Sequence, residues 1–221
     1  MVATARTVRG GRPTARTPFL LLVVFATAVG LSACTAPQRV EGDDAVYDEA
    51  RDLNLTFKRS VADVQARVLG SEWKVGEYGD VPVACDDGYG FRMTRTTPSP
   101  AGWRLPAGIE RMAHEIGERL AADGWSDVEV VTYGERLGHV LVQARRTVDG
   151  VARLDVDLAT GEVADGVIVR AESTCHDGDP NVLMAELYPG WPTEQTEGDA
   201  PATERPDADP VFGFTAEGRP R

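Results

Sequence analysis

The chain has 221 residues, of which 35 are acidic and 23 basic, so its formal net charge is −12. This acidic balance excludes nucleic acid as a partner, because binding to a phosphate backbone depends on Lys and Arg residues that neutralise it. It also disfavours adhesion to an anionic lipid surface, which attracts basic segments.

The first 33 residues have the layout of a secretory signal peptide. Four arginines and no acidic residue precede an apolar run from Phe19 to Leu31. The run falls short of the ~20 apolar residues that a membrane span needs, which argues against an uncleaved membrane anchor. We predict that residues 1–33 are a signal that is removed.

The end of this signal resembles a lipobox, the motif of bacterial lipoprotein signals, and reads Leu31-Ser32-Ala33-Cys34. Over residues 1–34 the chain is similar to the small lipobox lipoproteins of high-GC Gram-positive bacteria, the actinobacterial type. The resemblance implies that Cys34 becomes the new N-terminus and carries acyl chains such as palmitate. It also implies that these chains hold the protein on the extracytoplasmic face of the cell membrane.

Residues 34–42 are predicted to be a short polar tether, and a long amphipathic helix follows. Asp43 and Asp44 stand where an N-cap belongs, and Gly70 stands where the helix should stop. The polar face mixes acidic and basic residues, whereas a membrane-surface helix is rich in Lys and Arg, so we expect packing on the domain's own sheet. The apolar stripe, spaced by three or four residues, is Val46, Ala50, Leu53, Phe57, Val61, Val64 and Val68.

Residues 73–97 are predicted to be extended. Tyr89, Phe91 and Met93 alternate with small or polar residues, which is the period of a half-buried strand. Aromatic residues concentrate around this segment, and such a group either fills a core or lines a ligand pocket. The strand alternation favours core packing. The aromatic residues are Trp73, Tyr78, Tyr89, Phe91, Trp103 and Trp125.

A second helix is predicted over residues 107–123, ending before Gly124. Four strands are predicted after it, with an Asp149-Gly150 pair that favours a hairpin between the second and the third. Alternating apolar and polar residues in these strands indicate an antiparallel sheet with one buried and one solvated face. The predicted strands are residues 128–133, 139–146, 151–158 and 167–173.

These elements predict an α+β fold, a two-layer domain over residues 43–190 with two helices packed on one face of an antiparallel sheet. Residues 191–221 are rich in Pro, Thr, Glu and Asp, and we predict a disordered acidic tail. Phe212 and Phe214 in that tail could dock on the domain, but the composition favours a loose segment.

Three cysteines are present, and acylation of Cys34 leaves Cys85 and Cys175 as a pair. Disulfides persist in an oxidising compartment outside the membrane, so we predict that Cys85 and Cys175 are bridged. The run Cys175-His176-Asp177 is not interpreted as a catalytic triad, because three consecutive residues rarely converge on one reacting atom.

This bridge would gather four carboxylates, those of Asp86, Asp87, Asp177 and Asp179. Oxygen-rich clusters suit Ca²⁺, and the first residues of an EF-hand loop are copied at Asp177, Asp179 and Asn181. The copy fails where Val182 replaces the turn glycine, so a loose solvated acidic patch is favoured over a metal site.

Asp155 and Asp157 face the same side of a predicted strand, a pairing that would suit acid–base work on a glycoside. The alternation of the strand already explains them as part of a solvated face.

Phosphate-binding loops, zinc motifs and nucleophile elbows are absent from the sequence. We therefore expect no enzyme and no cofactor. The prediction is a cell-envelope lipoprotein that binds another envelope component or protein, with a carrier of a small apolar or lipid ligand as the alternative.

Overall fold

The computed structural model describes residues 43–86, 88–134, 138–187 and 203–213. The predicted signal and tether, residues 1–42, lie outside these ranges. The helices are α1 (Asp43–Val68), α2 (Ile109–Ala122) and α3 (Pro180–Leu187). The strands are β1 (Trp73–Glu77), β2 (Val83–Cys85), β3 (Gly88–Gly90), β4 (Arg92–Thr96), β5 (Ser126–Thr132), β6 (His139–Arg146), β7 (Val151–Ala159), β8 (Gly166–Ser173), β9 (His176–Asp177) and β10 (Thr203–Glu204).

Seven strands form one antiparallel sheet in the order β10-β1-β4-β8-β7-β6-β5. In its centre, Val142 lies opposite Val156, and Val156 lies opposite Val169. Side chains alternate between the two faces of a strand, so these three valines share one face, and all three are buried. The four strands predicted between residues 128 and 173 are confirmed, with ends that shift by no more than two residues.

Both long helices pack on this buried face. α2 lies over β5, β6 and β7, and α1 lies over β7 and β8. Gly117 allows α2 to approach closely, since a Cβ atom there would stand 3.2 Å from Cγ2 of Val130. The apolar stripe of α1 contributes Phe57, Val61 and Val64 to the same core. The α+β class, with helices on one face of an antiparallel sheet, is confirmed. None of the helices in the described ranges is long and apolar enough to cross a bilayer.

The segment predicted as one extended stretch, residues 73–97, divides between two sheets. β1 and β4 belong to the large sheet, whereas β2 and β3 form a small sheet with β9. The aromatic strand is interrupted at Phe91, where β3 ends and β4 begins. Phe91 N donates to the Ser173 hydroxyl over 2.8 Å, so the chain crosses from one sheet to the other without an unpaired amide.

α3 was not predicted from the sequence. Its first residue is Pro180, and the Asp179 carboxylate accepts a hydrogen bond from Asn181 N at 2.8 Å. An aspartate before a proline at the first helical position is a common helix start, since proline lacks the N–H that would otherwise be unpaired. Leu183 and Leu187 bury this helix against the core.

The prediction of a disordered tail from residue 191 is wrong for residues 203–213. β10 pairs with β1 at the edge of the large sheet, with Glu204 opposite Trp73. Further along, Phe212 is only 1% exposed and belongs to the core. Composition misled the prediction because one aromatic side chain and one carboxylate are enough to dock the segment. Residues 188–202 and 214–221, with Phe214, lie outside the described residues.

Candidate functional site

The Cys85–Cys175 disulfide joins the small sheet to the end of β8. Its Cα atoms are 5.9 Å apart, within the range that the bridge requires. The pairing of β2 with β3, and of β3 with β9, brings the two cysteines together, with Gly88 opposite both Cys85 and Asp177. The predicted disulfide is confirmed. Cys34, the predicted lipidation site, lies outside the described residues and stays a prediction.

The acidic residues beside the disulfide do not assemble into a metal site within the described ranges. Asp86 and Asp177 are exposed, and Asp86 has a φ of 39° in a tight turn. Asp179 is engaged in capping α3, accepting from both the amide and the side-chain nitrogen of Asn181. Among described residues no group of three metal-ligating side chains is found, and Asp87 lies outside them. The structure therefore gives no support to the Ca²⁺ interpretation of this patch.

Most of the aromatic cluster fills the core. Trp73, Tyr89, Phe91 and Trp125 are buried. Trp73 satisfies its indole by donating to the Leu69 carbonyl over 2.8 Å. Core packing, which the alternation favoured over a ligand pocket, is confirmed for these four residues.

The face of the sheet opposite the helices carries a network of paired charges around Asp155. The Gln143 side-chain amide donates to Asp155 Oδ1 over 2.9 Å, and Arg153 Nη2 lies 2.8 Å from Asp155 Oδ2. Arg170 stands directly opposite Asp155 on β8. This is the face that the sequence predicted to be solvated, and in the described residues α1 and α2 leave it open.

Asp157 forms the second half of this network. Its Oδ1 lies 3.2 Å from His139 Nδ1, and its Oδ2 lies 3.6 Å from Arg170 Nη1. A carboxylate oxygen accepts hydrogen bonds, so Nδ1 of His139 is the donor in this contact. Both aspartates that would form a catalytic carboxylate pair are thus already bound to donors.

A hollow of about 430 Å³ lies over this network. Tyr133 and Leu141 add an aromatic and an apolar surface to its polar wall. A neighbouring hollow of about 610 Å³, where α2 begins, also touches His139. The first hollow is lined by Tyr133, His139, Leu141, Asp155, Asp157 and Arg170. This open face, defined by those six residues, is the candidate binding site.

A buried pair of charges, Lys58 and Asp80, was missed by the sequence analysis, in which the charged residues of the first helix belong to a mixed polar face. The two side chains form an ion pair and are 2% and 1% exposed. Burial lowers the pKa of Lys58 and raises the pKa of Asp80, because each charge is removed from water. The Tyr78 ring covers the ammonium group at 3.9 Å from its centroid. Asn54, Lys58 and Gln65 lie at helical spacing along α1, and all three are buried. This spacing was the feature of the sequence from which buried polar residues in α1 could have been predicted.

Comparisons with known proteins give one structural likeness. No protein-family model matches the chain, and no curated protein matches it either. The chain is similar to the crystal structure of a DUF4853 family protein from Actinomyces odontolyticus, with a TM-score of 0.38 and 20% identity. The likeness covers 65% of this chain and 72% of the other.

Proposed function

We propose that this chain is a lipoprotein of the cell envelope that is anchored through Cys34 and binds another envelope protein or component by the open face of its sheet. The anchor rests on the resemblance of residues 1–34 to lipoprotein signals. The observation that carries the binding role is the network of fixed charges on that face, around Asp155 and Asp157.

The network suits binding because its side chains are already held in place. His139, Arg170 and Gln143 each contact one of the two aspartates, so little side-chain freedom remains to be lost when a partner docks. Leu141 and Tyr133 supply apolar contact area beside these polar groups. A surface that is neither wholly apolar nor uniformly charged is typical of non-obligate protein interfaces.

The role that we propose is non-enzymatic. Acid–base work by two carboxylates needs groups that are available to the substrate, whereas Asp155 and Asp157 are occupied by neighbouring donors. The alternative of a lipid carrier gains less support, because the aromatic residues that would line its cavity are packed in the core. Native mass spectrometry that finds a lipid bound to the purified mature chain would favour the carrier.

The binding role is tested by photo-crosslinking in cells. A photo-reactive residue replaces Leu141 in one variant and Val148 in another, and Val148 is a matched control because it is 85% exposed and lies in the turn between β6 and β7. We expect a discrete crosslinked product from position 141 that is missing at position 148. Products that are the same at both positions, or none at position 141, would contradict the proposal.

A further inference from the structure

The C-terminal segment, residues 203–213, lies on the domain in the manner of a bound peptide. It is attached at two points, at Glu204 and at Phe212 with Gly213, and the residues between them are largely exposed. The first attachment adds a short strand to the edge of the large sheet, where Thr203 lies opposite Lys74. Addition of a strand to a free sheet edge is a common mode of peptide recognition.

The first attachment point is a carboxylate held by a buried arginine. Glu204 Oε2 accepts from Arg95 Nε at 3.0 Å and from Nη2 at 2.5 Å. The Arg95 side chain is fully buried. Its guanidinium also donates to the backbone carbonyls of Glu77, Thr94 and Tyr78, at 2.5 to 3.1 Å. The body of the domain therefore positions this carboxylate receptor by itself.

The second attachment point combines an aromatic slot with the buried pair of charges. The Phe212 ring lies 5.6 Å from the Tyr47 ring and 5.7 Å from the Phe91 ring, between centroids. Lys58 Nζ donates to the Val211 carbonyl over 2.8 Å. The Gly213 amide donates to Asp80 Oδ2 over 2.9 Å.

Lys58 and Asp80 both belong to the body of the domain, and they form an ion pair with each other. A buried ion pair is weak evidence for stability, because desolvation offsets the attraction. Here each member of the pair has a second bond, and that bond goes to the backbone of the docked segment. The pair thus acts as a receptor for one carbonyl and one amide of an extended chain.

We propose that this groove is a peptide-binding site with residues 203–213 as its resident ligand. Its other ligands are extended segments of a partner protein that present a carboxylate and, eight residues later, an aromatic ring. Both halves of the groove are built by residues of α1, β1, β4, the loop after β1 and Phe91, which all belong to the body of the domain. We therefore expect the receptor to persist when the resident segment leaves. The proposal does not depend on lipidation or on the open face of the sheet.

Exchange of the resident segment tests this proposal. A protease recognition sequence is placed between residues 190 and 200 of the full chain, which is purified in detergent and cut after folding. Circular dichroism then checks that the cut protein keeps its fold. A fluorescent peptide of residues 203–213 is titrated into it and followed by anisotropy, beside peptides that carry Phe212→Ala or Glu204→Gln. A fourth peptide keeps both attachment residues and replaces residues 205–210 by Gly and Ser.

We expect the unaltered peptide to displace the resident fragment. Loss of the ring should weaken binding by about 30-fold, as for a residue that anchors an interface. Loss of the carboxylate charge should weaken it by about tenfold, because a charge-assisted hydrogen bond is replaced by a neutral one. The fourth peptide should bind as well as the unaltered one. The proposal is overturned if the unaltered peptide does not bind to the cut protein, or if both single-residue variants bind as tightly as the unaltered peptide. Failure of the fourth peptide to bind, or unfolding of the cut protein, would also overturn it.

Discussion

Removal of the Cys85–Cys175 disulfide should destabilise the domain mainly through the unfolded chain. The bridge closes a loop with a sequence separation of 90 residues. In the chain-entropy model, closing such a loop removes about 4.6 kcal/mol of conformational freedom from the unfolded state at 25 °C. This figure is an upper limit, since residual structure in the unfolded chain reduces it.

The position of the disulfide separates its effect on the unfolded chain from any effect on core packing. Cys175 is exposed and Cys85 is only half-buried, so replacing both by alanine leaves little cavity in the core. The loss should then come from the released chain rather than from packing. Urea unfolding of the mature chain, followed by tryptophan fluorescence, reports on Trp73 and Trp125, which are buried.

We expect the midpoint of unfolding to fall by about 2 M urea in the double variant, for a typical dependence of the free energy on denaturant. The unaltered protein under reducing conditions is the control, and it should unfold with the variant. The reasoning is refuted if the oxidised protein and the double variant differ by less than about 1 kcal/mol.

Three further changes test the packing and the disulfide corner. Partial burial lowers the pKa of His176, so its contribution to stability is present above the ordinary pKa of about 6.5 and is lost as the pH falls through the lower folded value. His176→Gln should therefore flatten the fall in unfolding free energy below about pH 6.5, and an unchanged slope would contradict this. Phe212→Ala should lower the unfolding free energy by as much as about 3 kcal/mol in urea titrations, whereas a loss below about 1 kcal/mol would show that the ring is not part of the core. Calorimetric titration with Ca²⁺ should give the same trace for the unaltered chain and for an Asp177→Asn, Asp179→Asn double variant, because Asp179 already caps α3; heat confined to the unaltered chain would support a cation site.

The four strands from β5 to β8 could be predicted because the apolar and polar residues of each strand alternate. Leu154, Val156 and Leu158 alternate with Asp155 and Asp157, and the structure buries the first set and leaves the second on the open face. Antiparallel neighbours joined by short turns need no information from distant parts of the chain. The pattern that identified the strands also identified the face on which Asp155 and Asp157 lie.

The partners of that face could not be predicted. His139 and Asp157 are 18 residues apart, and their contact depends on the register between β6 and β7. A shift of a single residue in that register would turn one of the two side chains to the other face. Periodicity gives the face of a residue but not its neighbour on the next strand.

The groove for the C-terminal segment left one signal in the sequence. Arg95 continues the inward series of Tyr89, Phe91 and Met93, and an arginine at an inward position needs a carboxylate partner. Its partner, Glu204, lies 109 residues further along the chain, inside a segment whose composition indicated disorder. Local composition could not show that Arg95 and Glu204 are partners. The tail was therefore predicted to be disordered from its composition, and its contacts with the domain were missed.

The anchor at Cys34 is the central claim of the proposed function, and metabolic labelling tests it most directly. Cells that express the full chain or its Cys34→Ala variant are fed an alkyne-tagged fatty acid, fractionated and probed for label on the protein. Stable retention of the protein at the membrane requires at least two acyl chains on Cys34, because a single acyl chain binds membranes only marginally. The account predicts label and membrane retention for the unaltered chain, and neither label nor processed, membrane-held protein for the variant. A variant that still carries label and stays processed in the membrane fraction would contradict it.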